Sequence, residues 1–305
     1  MSTLWTLIWD DGAHHIPLGL LQQATLTKLI QTPSSIKGSM EIRRSTREIL
    51  IFDQPTEAER TATVAAVTNY WRENKTFRVL EGWRDELFPV YGPGDTLLYS
   101  VERTAAALFG IPTYGAHMTA YVRDESATNG VRFWIPRRSR TKKTWAGMLD
   151  NTVAGGMATG EVPLECIIRE AEEEASLPDQ VVRSRIKAAG TVTYIYFRKE
   201  ESTGELGLLE PEVEYVYDLE LPADVIPKPN DSEVEQFFLL TVEEVKEAMA
   251  KGEFKPNCAV VLLDFFMRHG TLTKENEPDY DEIKRRMHRP LPFPGPHGAR
   301  AVKAI

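Results

Sequence analysis

The chain has 305 residues, of which 42% are hydrophobic and 27% charged, which is the composition of a globular protein large enough for two cores. Its formal charge of −9 argues against non-specific binding to nucleic acid or to anionic membranes, because no large basic face is available. No run of 18 apolar residues and no signal pattern occur, so we expect a cytoplasmic protein with small-molecule partners and no membrane partner. The two cysteines, Cys166 and Cys258, suit a reducing compartment without disulfides.

The first third of the chain is expected to form a smaller α+β domain over residues 1–113. The elements predicted from hydrophobic periodicity are a helix over 18–30, a strand over 48–52, a helix from Pro55 to about Trp71, edge strands over 77–90 and a helix over 97–109. Gly110, Ile111 and Pro112 end the last of these helices. We therefore place the domain boundary there.

From Gly115 the pattern changes to strands with helices between them. The strands are predicted over 118–123, 131–135, 149–153, 191–198, 213–221 and 234–240, and the helices over 162–176, 242–250 and 257–269. Strands in mixed order with helices for both faces indicate an α/β fold, specifically an α/β/α sandwich, over residues 114–275. A C-terminal helix and a proline-rich tail are expected over 276–305.

The helix predicted over 162–176 carries three carboxylates on one flank. Glu170, Glu173 and Glu174 stand at i, i+3 and i+4, off the apolar stripe, and each like-charged pair costs about 0.2–0.5 kcal/mol. A divalent cation held by oxygen ligands would offset this repulsion, and Mg²⁺, with Mn²⁺ as a substitute, suits a shallow carboxylate cluster. A solvated acidic helix face is the alternative that these three residues leave open by themselves.

The spacing of these acids from a preceding glycine is more specific than the acids alone. It resembles the Nudix box, whose fixed positions here are Gly155, Glu161, Arg169, Glu170, Glu173, Glu174 and Leu177. Ser176 is the one departure, since the family has glycine there, and we expect the helix end to be turned by other means. The resemblance implies a Nudix α/β/α fold with a mixed sheet and an enzyme that hydrolyses a diphosphate bond.

The resemblance also implies roles for the residues of the box. Glu173 and Glu174 would bind the metal ions, and Glu170 would be a further metal ligand or the base for the attacking water. Arg169 would orient a carboxylate, either Glu170 or Glu161. These four residues, 169, 170, 173 and 174, are the predicted catalytic group.

An acid outside the box usually completes the metal site in this family. The candidates on or beside predicted strands are Glu212, Glu214, Glu233 and Glu235. Glu233 is favoured because it closes an acidic turn, and the other three are otherwise surface acids. Gly155 and Gly156 are predicted to act through the backbone, by positive φ and by close approach to metal or phosphate, with an ordinary turn as the alternative.

A basic segment lies between the boundary and the box, with five cations in seven residues over 137–143. It is either a solvated loop or a loop that grips phosphate, with a tryptophan against an aromatic ring of the substrate. The predicted substrate-binding residues in and around it are Arg137, Arg138, Lys142, Trp134 and Trp145.

Longer sequence segments indicate which subgroup of Nudix proteins the chain resembles. WIPRRSRTKKTWAGMLDNTVAGGMATGE, NDSEVEQF and FKPNCAVVLLDFFMRHG resemble the fungal, plant and bacterial Nudix proteins related to the region fused to thiamine pyrophosphokinase, which also carry an N-terminal domain. This implies that thiamine diphosphate and its damaged oxo and oxy forms are cleaved to the monophosphate and phosphate. Cations near the rings would favour the damaged forms, and the N-terminal region is expected to shape or cover the ring end of the pocket.

Two other functions share the fold. A Nudix pyrophosphatase acting on ADP-ribose or another nucleoside diphosphate derivative would have the same box and a different ring pocket. An isopentenyl-diphosphate isomerase needs an active-site cysteine upstream of the box, and residues 1–165 contain none, so this reading is disfavoured. The sequence leaves the ring and the oligomeric state open.

Overall fold

The computed structural model describes residues 4–199 and 204–297. The elements of the N-terminal region are β1 Trp5–Asp10, β2 His15–Leu21, α1 Gln23–Gln31, α2 Ser34–Lys37, β3 Met40–Arg43, β4 Glu48–Ile51, α3 Glu57–Glu73, β5 Leu87–Tyr91, β6 Leu97–Glu102 and α4 Ala106–Phe109. One sheet has the order β2-β1-β4-β3, and β5 and β6 form a separate antiparallel hairpin. Helix α3 begins at a capping box made by Thr56 and Glu59 and packs against β6 around buried Trp71.

Two helices predicted in this region begin as strands. The helix over 18–30 is wrong in its first half, because β2 pairs with β1 and α1 begins only at Gln23. The helix over 97–109 is likewise wrong in its first half, where β6 stands, and its second half is a 3₁₀ turn at Arg103–Ala105 followed by α4. Residues 98–102 are all buried, so both faces of β6 are covered and the alternation that identifies a strand is missing. In the predicted edge strands over 77–90, a 3₁₀ turn at Arg78–Gly82 precedes β5.

The second region forms a six-stranded mixed sheet. Its elements are β7 Thr113–Arg123, β8 Val131–Arg138, β9 Val153–Gly156, α5 Pro163–Ala175, α6 Asp179–Arg185, β10 Ile186–Phe197, β11 Leu209–Glu220, β12 Val234–Thr241, α7 Val242–Ala250, α8 Pro256–Arg268 and α9 Tyr280–Met287. The strand order is β10-β11-β7-β8-β12, and β9 pairs with the first half of β7, beside β8. Strands β11 and β7 are parallel, whereas the other pairs are antiparallel.

Helices cover both faces of this sheet. Helix α5 packs on the face that presents Ala116 and Met118, and α8 packs on the opposite face with Phe133. The predicted α/β/α sandwich with a mixed sheet is therefore confirmed. The strand predicted over 149–153 lies four residues too early, since β9 begins at Val153. None of the helices in the described ranges is long and apolar enough to cross a membrane.

The two regions are in direct contact. Leu208, in the β10–β11 connection, is buried in the N-terminal core, and the neighbouring Glu205 carboxylate accepts hydrogen bonds from the backbone N–H groups of Arg78 and Val79. After α9, the C-terminal tail returns to the contact between the two regions. There the Tyr114 hydroxyl lies 3.3 Å from His297 Nδ1. Of the tail predicted over 276–305, residues 298–305 lie outside the described residues.

Candidate active site

Helix α5 separates an apolar face from an acidic flank. It begins at Pro163, whose missing N–H costs nothing in the first turn. The buried side chains of the apolar face include Cys166, Ile167, Ile168, Ala171 and Ala175. Ser176 ends the helix in the left-handed conformation, with φ 52°, so it takes the backbone position that the family fills with glycine.

Arg169 lies at the centre of the carboxylates of the box. Its Nε and Nη2 donate to Glu161 Oε1 at 3.0 and 2.9 Å. Its Nη1 donates to Glu170 at 2.9 Å and to Glu173 at 3.0 Å. The sequence predicted one carboxylate partner for this arginine, and the fold gives it three.

Burial perturbs two of these carboxyl groups. Burial, opposed by Arg169 and reinforced by Glu173 and Glu233, raises the pKa of Glu170 to about 7. Glu174 is 8% exposed and accepts a hydrogen bond from the backbone N–H of Ala154 at 3.1 Å. Burial and the nearby charges of Asp150 and Glu170 raise the pKa of Glu174 well above its usual value. The flank therefore holds two carboxyl groups that are costly to ionise unless a cation compensates their charge.

The two glycines of β9 act by close approach only. A Cβ on Gly155 would lie 2.3 Å from Glu170 Cγ and 2.4 Å from its Cδ, so only glycine lets the Glu170 side chain reach the strand. The predicted positive φ is wrong for both residues, because Gly155 and Gly156 are extended and pair with Ala116 and Gly115 of β7.

Asp150 belongs to this cluster and was not found from the sequence. Its carboxylate accepts a hydrogen bond from Arg138 at 2.5 Å and from the Cys258 thiol at 2.6 Å. Burial opposes its ionisation, but Lys255 and Arg138 hold the pKa of Asp150 well below its usual value. The only sequence signal was an acid inside the strand predicted over 149–153.

The cations of the basic segment have other partners. Arg138 is largely buried and pairs with Asp150, so contact with phosphate would require it to leave a buried carboxylate. Arg137 donates to the Gly147 carbonyl at 2.8 Å, and Lys142 forms an ion pair with Glu233. Their assignment to substrate binding stays a prediction.

A cavity of about 1280 Å³ lies between the two regions, on the α8 side of the sheet. Of the predicted substrate-binding residues, Trp145, Gly155 and Gly156 line it, whereas Trp134 packs against the core beneath α5. The N-terminal region contributes Phe88 and Arg103 to its wall, among other residues. The acids of α5 and this cavity are thus separated by the glycine backbone of β9.

The floor of the cavity contains a buried ionic group. Glu214 Oε2 lies 3.3 Å from His117 Nε2, and Glu214 Oε1 accepts from the Tyr194 hydroxyl at 2.8 Å and from Asn257 Nδ2 at 3.3 Å. Burial opposes ionisation, but His117 and Tyr194 outweigh it and lower the pKa of Glu214 to about 2. Burial alone would lower the pKa of His117, and the Glu214 charge raises it well above 6.5.

Glu212 lies beside this group on the same face of β11. The Thr113 hydroxyl donates to its carboxyl group at 2.9 Å. Burial, together with Glu214 and Glu210, raises the pKa of Glu212 well above its usual value. These residues are not the surface acids that the sequence suggested, and their shared location became visible only through the register of β7, β10 and β11.

The four candidates for a metal ligand outside the box lie at different places in the fold. Glu233 is close enough to the box for its charge to raise the pKa of Glu170, after burial and Glu173. Glu212 and Glu214 lie on the opposite face of the sheet from α5. Glu235 is exposed, 3.7 Å from Arg140. The geometry is compatible with the predicted choice of Glu233, which stays a prediction.

The donor set fits a hard divalent cation. In the described ranges, no three His, Cys, Asp or Glu side chains are arranged to enclose a metal ion, and the guanidinium of Arg169 stands between Glu170 and Glu173. Glu170 and Glu173 therefore already bind one positively charged group, the Arg169 guanidinium. Gly155 leaves space for Glu170, and Glu174 has oxygen lone pairs beyond its bond to Ala154.

Comparisons with known proteins show which families and relatives the chain resembles. Residues 113–258 match the NUDIX domain, and residues 40–113 match a domain of unknown function, DUF4743. The chain is 48% identical over 219 residues to the Saccharomyces cerevisiae protein YJR142W, covering 70% of this chain and 64% of the relative. It is 37% identical to Nudix hydrolase 20, chloroplastic, and 36% to Nudix hydrolase 24, chloroplastic, both of Arabidopsis thaliana. These matches cover 69% and 78% of this chain but only 54% and 61% of the plant proteins.

Proposed function

Because residues 113–258 belong to the Nudix family, we propose that this protein is a metal-dependent hydrolase of a diphosphate bond in a ring-bearing small molecule. The observation that carries the proposal is the position of the box. The acids of α5 lie directly behind Gly155, and the same glycine lines the 1280 Å³ cavity between the two regions. In this proposal the diphosphate lies at the Gly155 end of the cavity, where it would reach metal ions held by the acids past the edge of β9.

Each residue of the flank has a role in this reaction. Bound Mg²⁺, or Mn²⁺ in its place, supplies Lewis-acid polarisation of the phosphoryl oxygens. Glu170, Glu173, Glu174 and Glu233 are the proposed ligands, and Arg169 fixes the orientation of Glu170 and Glu173 by charge-assisted hydrogen bonds. Since the pKa of Glu170 is near 7 without metal, its carboxylate is also suited to accept a proton from the attacking water near neutral pH.

Thiamine diphosphate and its oxo and oxy forms are the proposed substrates, on the basis of the sequence resemblance. The cavity supports a nitrogen-containing ring, because Tyr194 stands directly across from Glu212 on the neighbouring strand, whereas Glu210, across from Tyr196, is paired with Arg198. Aromatic faces and carboxyl groups together favour rings that offer N–H donors or carry positive charge. A cytoplasmic location remains our prediction from the sequence.

A substrate panel tests the proposal. The pure protein is incubated with Mg²⁺ and thiamine diphosphate, oxothiamine diphosphate, oxythiamine diphosphate or ADP-ribose, and the products are separated chromatographically. We expect the thiamine-type compounds to yield the monophosphate. Faster cleavage of ADP-ribose would instead favour a Nudix pyrophosphatase that acts on nucleoside diphosphate derivatives. Glu173→Gln and Glu174→Gln should each lose roughly 100-fold or more in turnover. Glu172→Gln, on the exposed side of the same helix, is the matched control and should keep the activity.

A further inference from the structure

An arginine of the N-terminal region lies against the glycine strand of the Nudix domain. A Cβ on Gly156 would be 3.3 Å from Arg103 Cζ, 3.4 Å from its Nη1 and 3.0 Å from Phe88 Cζ. The Arg103 guanidinium and the Phe88 ring therefore lie at contact distance from Gly156, on the cavity side of the strand. Gly155, one residue earlier, faces the opposite side and contacts Glu170.

The position of Arg103 is fixed by its own hairpin. Its Cζ lies 5.3 Å from the centre of the Phe88 ring, and its Nη1 donates to Glu86 at 2.9 Å. Buried Glu102 accepts hydrogen bonds from the backbone N–H groups of Thr104, at 3.3 Å, and of Arg84, at 3.0 Å. The bond to Glu86 uses one of the five N–H groups of the guanidinium, and Arg103 also lines the cavity.

The same hairpin holds the loop that leads into α5. The backbone N–H of Thr159 donates to the Leu87 carbonyl at 2.7 Å, and the Thr159 hydroxyl donates to the Ser100 hydroxyl at 2.9 Å. This loop carries Glu161, which binds Arg169. The β5–β6 hairpin is thus joined to the box at two places, by Arg103 at Gly156 and by these hydrogen bonds at Thr159.

We propose that the β5–β6 hairpin is part of the diphosphate site and that Arg103 binds phosphate oxygens lying beside Gly156 in the cavity. A guanidinium presents a planar pair of N–H groups that matches phosphate better than a point charge does. The carboxylates of α5 offer no donor to a phosphate, whereas Arg103 approaches the glycine strand from the other side. The inference rests on the proposed function and places the N-terminal region at the diphosphate end of the substrate, not only at its ring end.

Binding of a ring-free probe tests the inference. Imidodiphosphate, which has a bridging nitrogen and resists hydrolysis, is titrated with Mg²⁺ into wild-type protein, Arg103→Gln and Arg103→Lys, and the affinity is measured by calorimetry. We expect Arg103→Gln to bind about tenfold more weakly, as for loss of one charge-assisted hydrogen bond at a partly exposed site. Arg103→Lys should fall between, because it keeps the charge and loses the planar fork.

The control is Arg123→Gln, which removes an exposed arginine paired with Glu220 on the Nudix domain and should bind as the wild type does. Millimolar guanidinium should partly restore binding to an Arg103→Ala protein, which a purely structural role of Arg103 would not produce. If Arg103→Gln is poorly folded, Gly156→Ala provides a second variant, because its Cβ would push Phe88 and Arg103 away, and it should weaken binding in the same direction.

The outcomes separate this inference from the proposed function. Unchanged imidodiphosphate affinity in Arg103→Gln at wild-type Tm, or no binding by the wild type, would overturn the inference even if hydrolysis is observed. Arg103-dependent binding together with no cleavage of any substrate in the panel would support the inference and reject the hydrolase.

Discussion

Replacing Glu170 by glutamine should change stability in opposite directions with and without divalent metal. Burial, opposed by Arg169, raises the pKa of Glu170 from 4.5 to about 7. A carboxyl group with a raised pKa in the folded state favours the protonated protein, so stability falls as the pH rises from 4.5 to 7 and stays lower above that. The difference corresponds to about 3 kcal/mol at pH 8, since each pKa unit is worth about 1.4 kcal/mol.

The glutamine variant is free of this cost but loses the charge-assisted bond from Arg169 at 2.9 Å. The pKa of about 7 already includes the opposing effect of that bond on the ionised carboxylate. Without metal at pH 8, the free energy of unfolding of Glu170→Gln should therefore exceed that of the wild type by about 3 kcal/mol. At pH 4.5 the two proteins should be nearly equal in stability, because the wild-type carboxyl group is then protonated in the folded state and neutral like glutamine.

Urea unfolding at pH 4.5 and pH 8, with EDTA or with saturating Mg²⁺, measures both effects. A ligand at about 1,000 times its Kd stabilises the folded state by about 4.1 kcal/mol, so Mg²⁺ at that excess should raise the wild type above the variant at pH 8. Glu172→Gln, exposed on the same helix, is the control and should follow the wild type under all conditions. Equal stabilisation of wild type and Glu170→Gln by Mg²⁺ would show that Glu170 is not a ligand.

Three further substitutions test the geometry. Gly155→Ala places a Cβ 2.4 Å from Glu170 Cδ, and steady-state kinetics should show a loss of roughly 100-fold in turnover with an almost unchanged Tm. Ser176→Gly removes a left-handed non-glycine residue and should raise the free energy of urea unfolding by about 1 kcal/mol. Glu214→Gln should lower that free energy by about 3 kcal/mol, because it leaves His117 buried without its partner. In acid titrations the stability that Glu214 contributes should be present above pH 4.5 and be lost as the pH falls towards 2.

The acidic flank of α5 was predictable because its position depends only on residues close to it in the sequence. Pro163 and the three- and four-residue spacing of apolar side chains define α5, and the same spacing places Glu170, Glu173 and Glu174 off the apolar face. Helix α7 was predictable for the same reason, since Thr241 and Glu244 form the capping box that its sequence suggests. These features depend on neighbours within one or two turns.

The cavity was not predictable, because it depends on pairings between distant segments. Glu212 lies opposite Thr113 on β7 and opposite Tyr194 on β10, so its environment is set by residues far from it in the chain. Asp150 is buried by contact with Arg138 and Cys258, from two other elements. Strand β6 was mistaken for a helix for a related reason, since its two covered faces are supplied by other parts of the chain.

The two ends of the cavity differ in chemistry, and the register of the sheet gives their separation. Glu214 pairs with Gly115, which pairs with Gly156, and Glu212 is two residues further along β11. With about 4.8 Å between strands and about 3.3 Å per residue, the Cα atoms of Glu212 and Gly156 are roughly 12 Å apart. That span suits a small molecule with a diphosphate at one end and a ring at the other.

The end of the cavity that carries Glu212 then determines which substrate rings are preferred. The preference for oxo and oxy forms was predicted from cations of the basic segment, but in the fold Arg138 pairs with Asp150 and Lys142 with Glu233. Their charges are largely offset before a substrate arrives, so they discriminate weakly against a cationic ring. Burial and the charges of Glu214 and Glu210 outweigh the Thr113 hydrogen bond and the charge of Lys255, and they raise the pKa of Glu212 well above its usual value, so the protonation of Glu212 responds to the charge of a ring bound beside it.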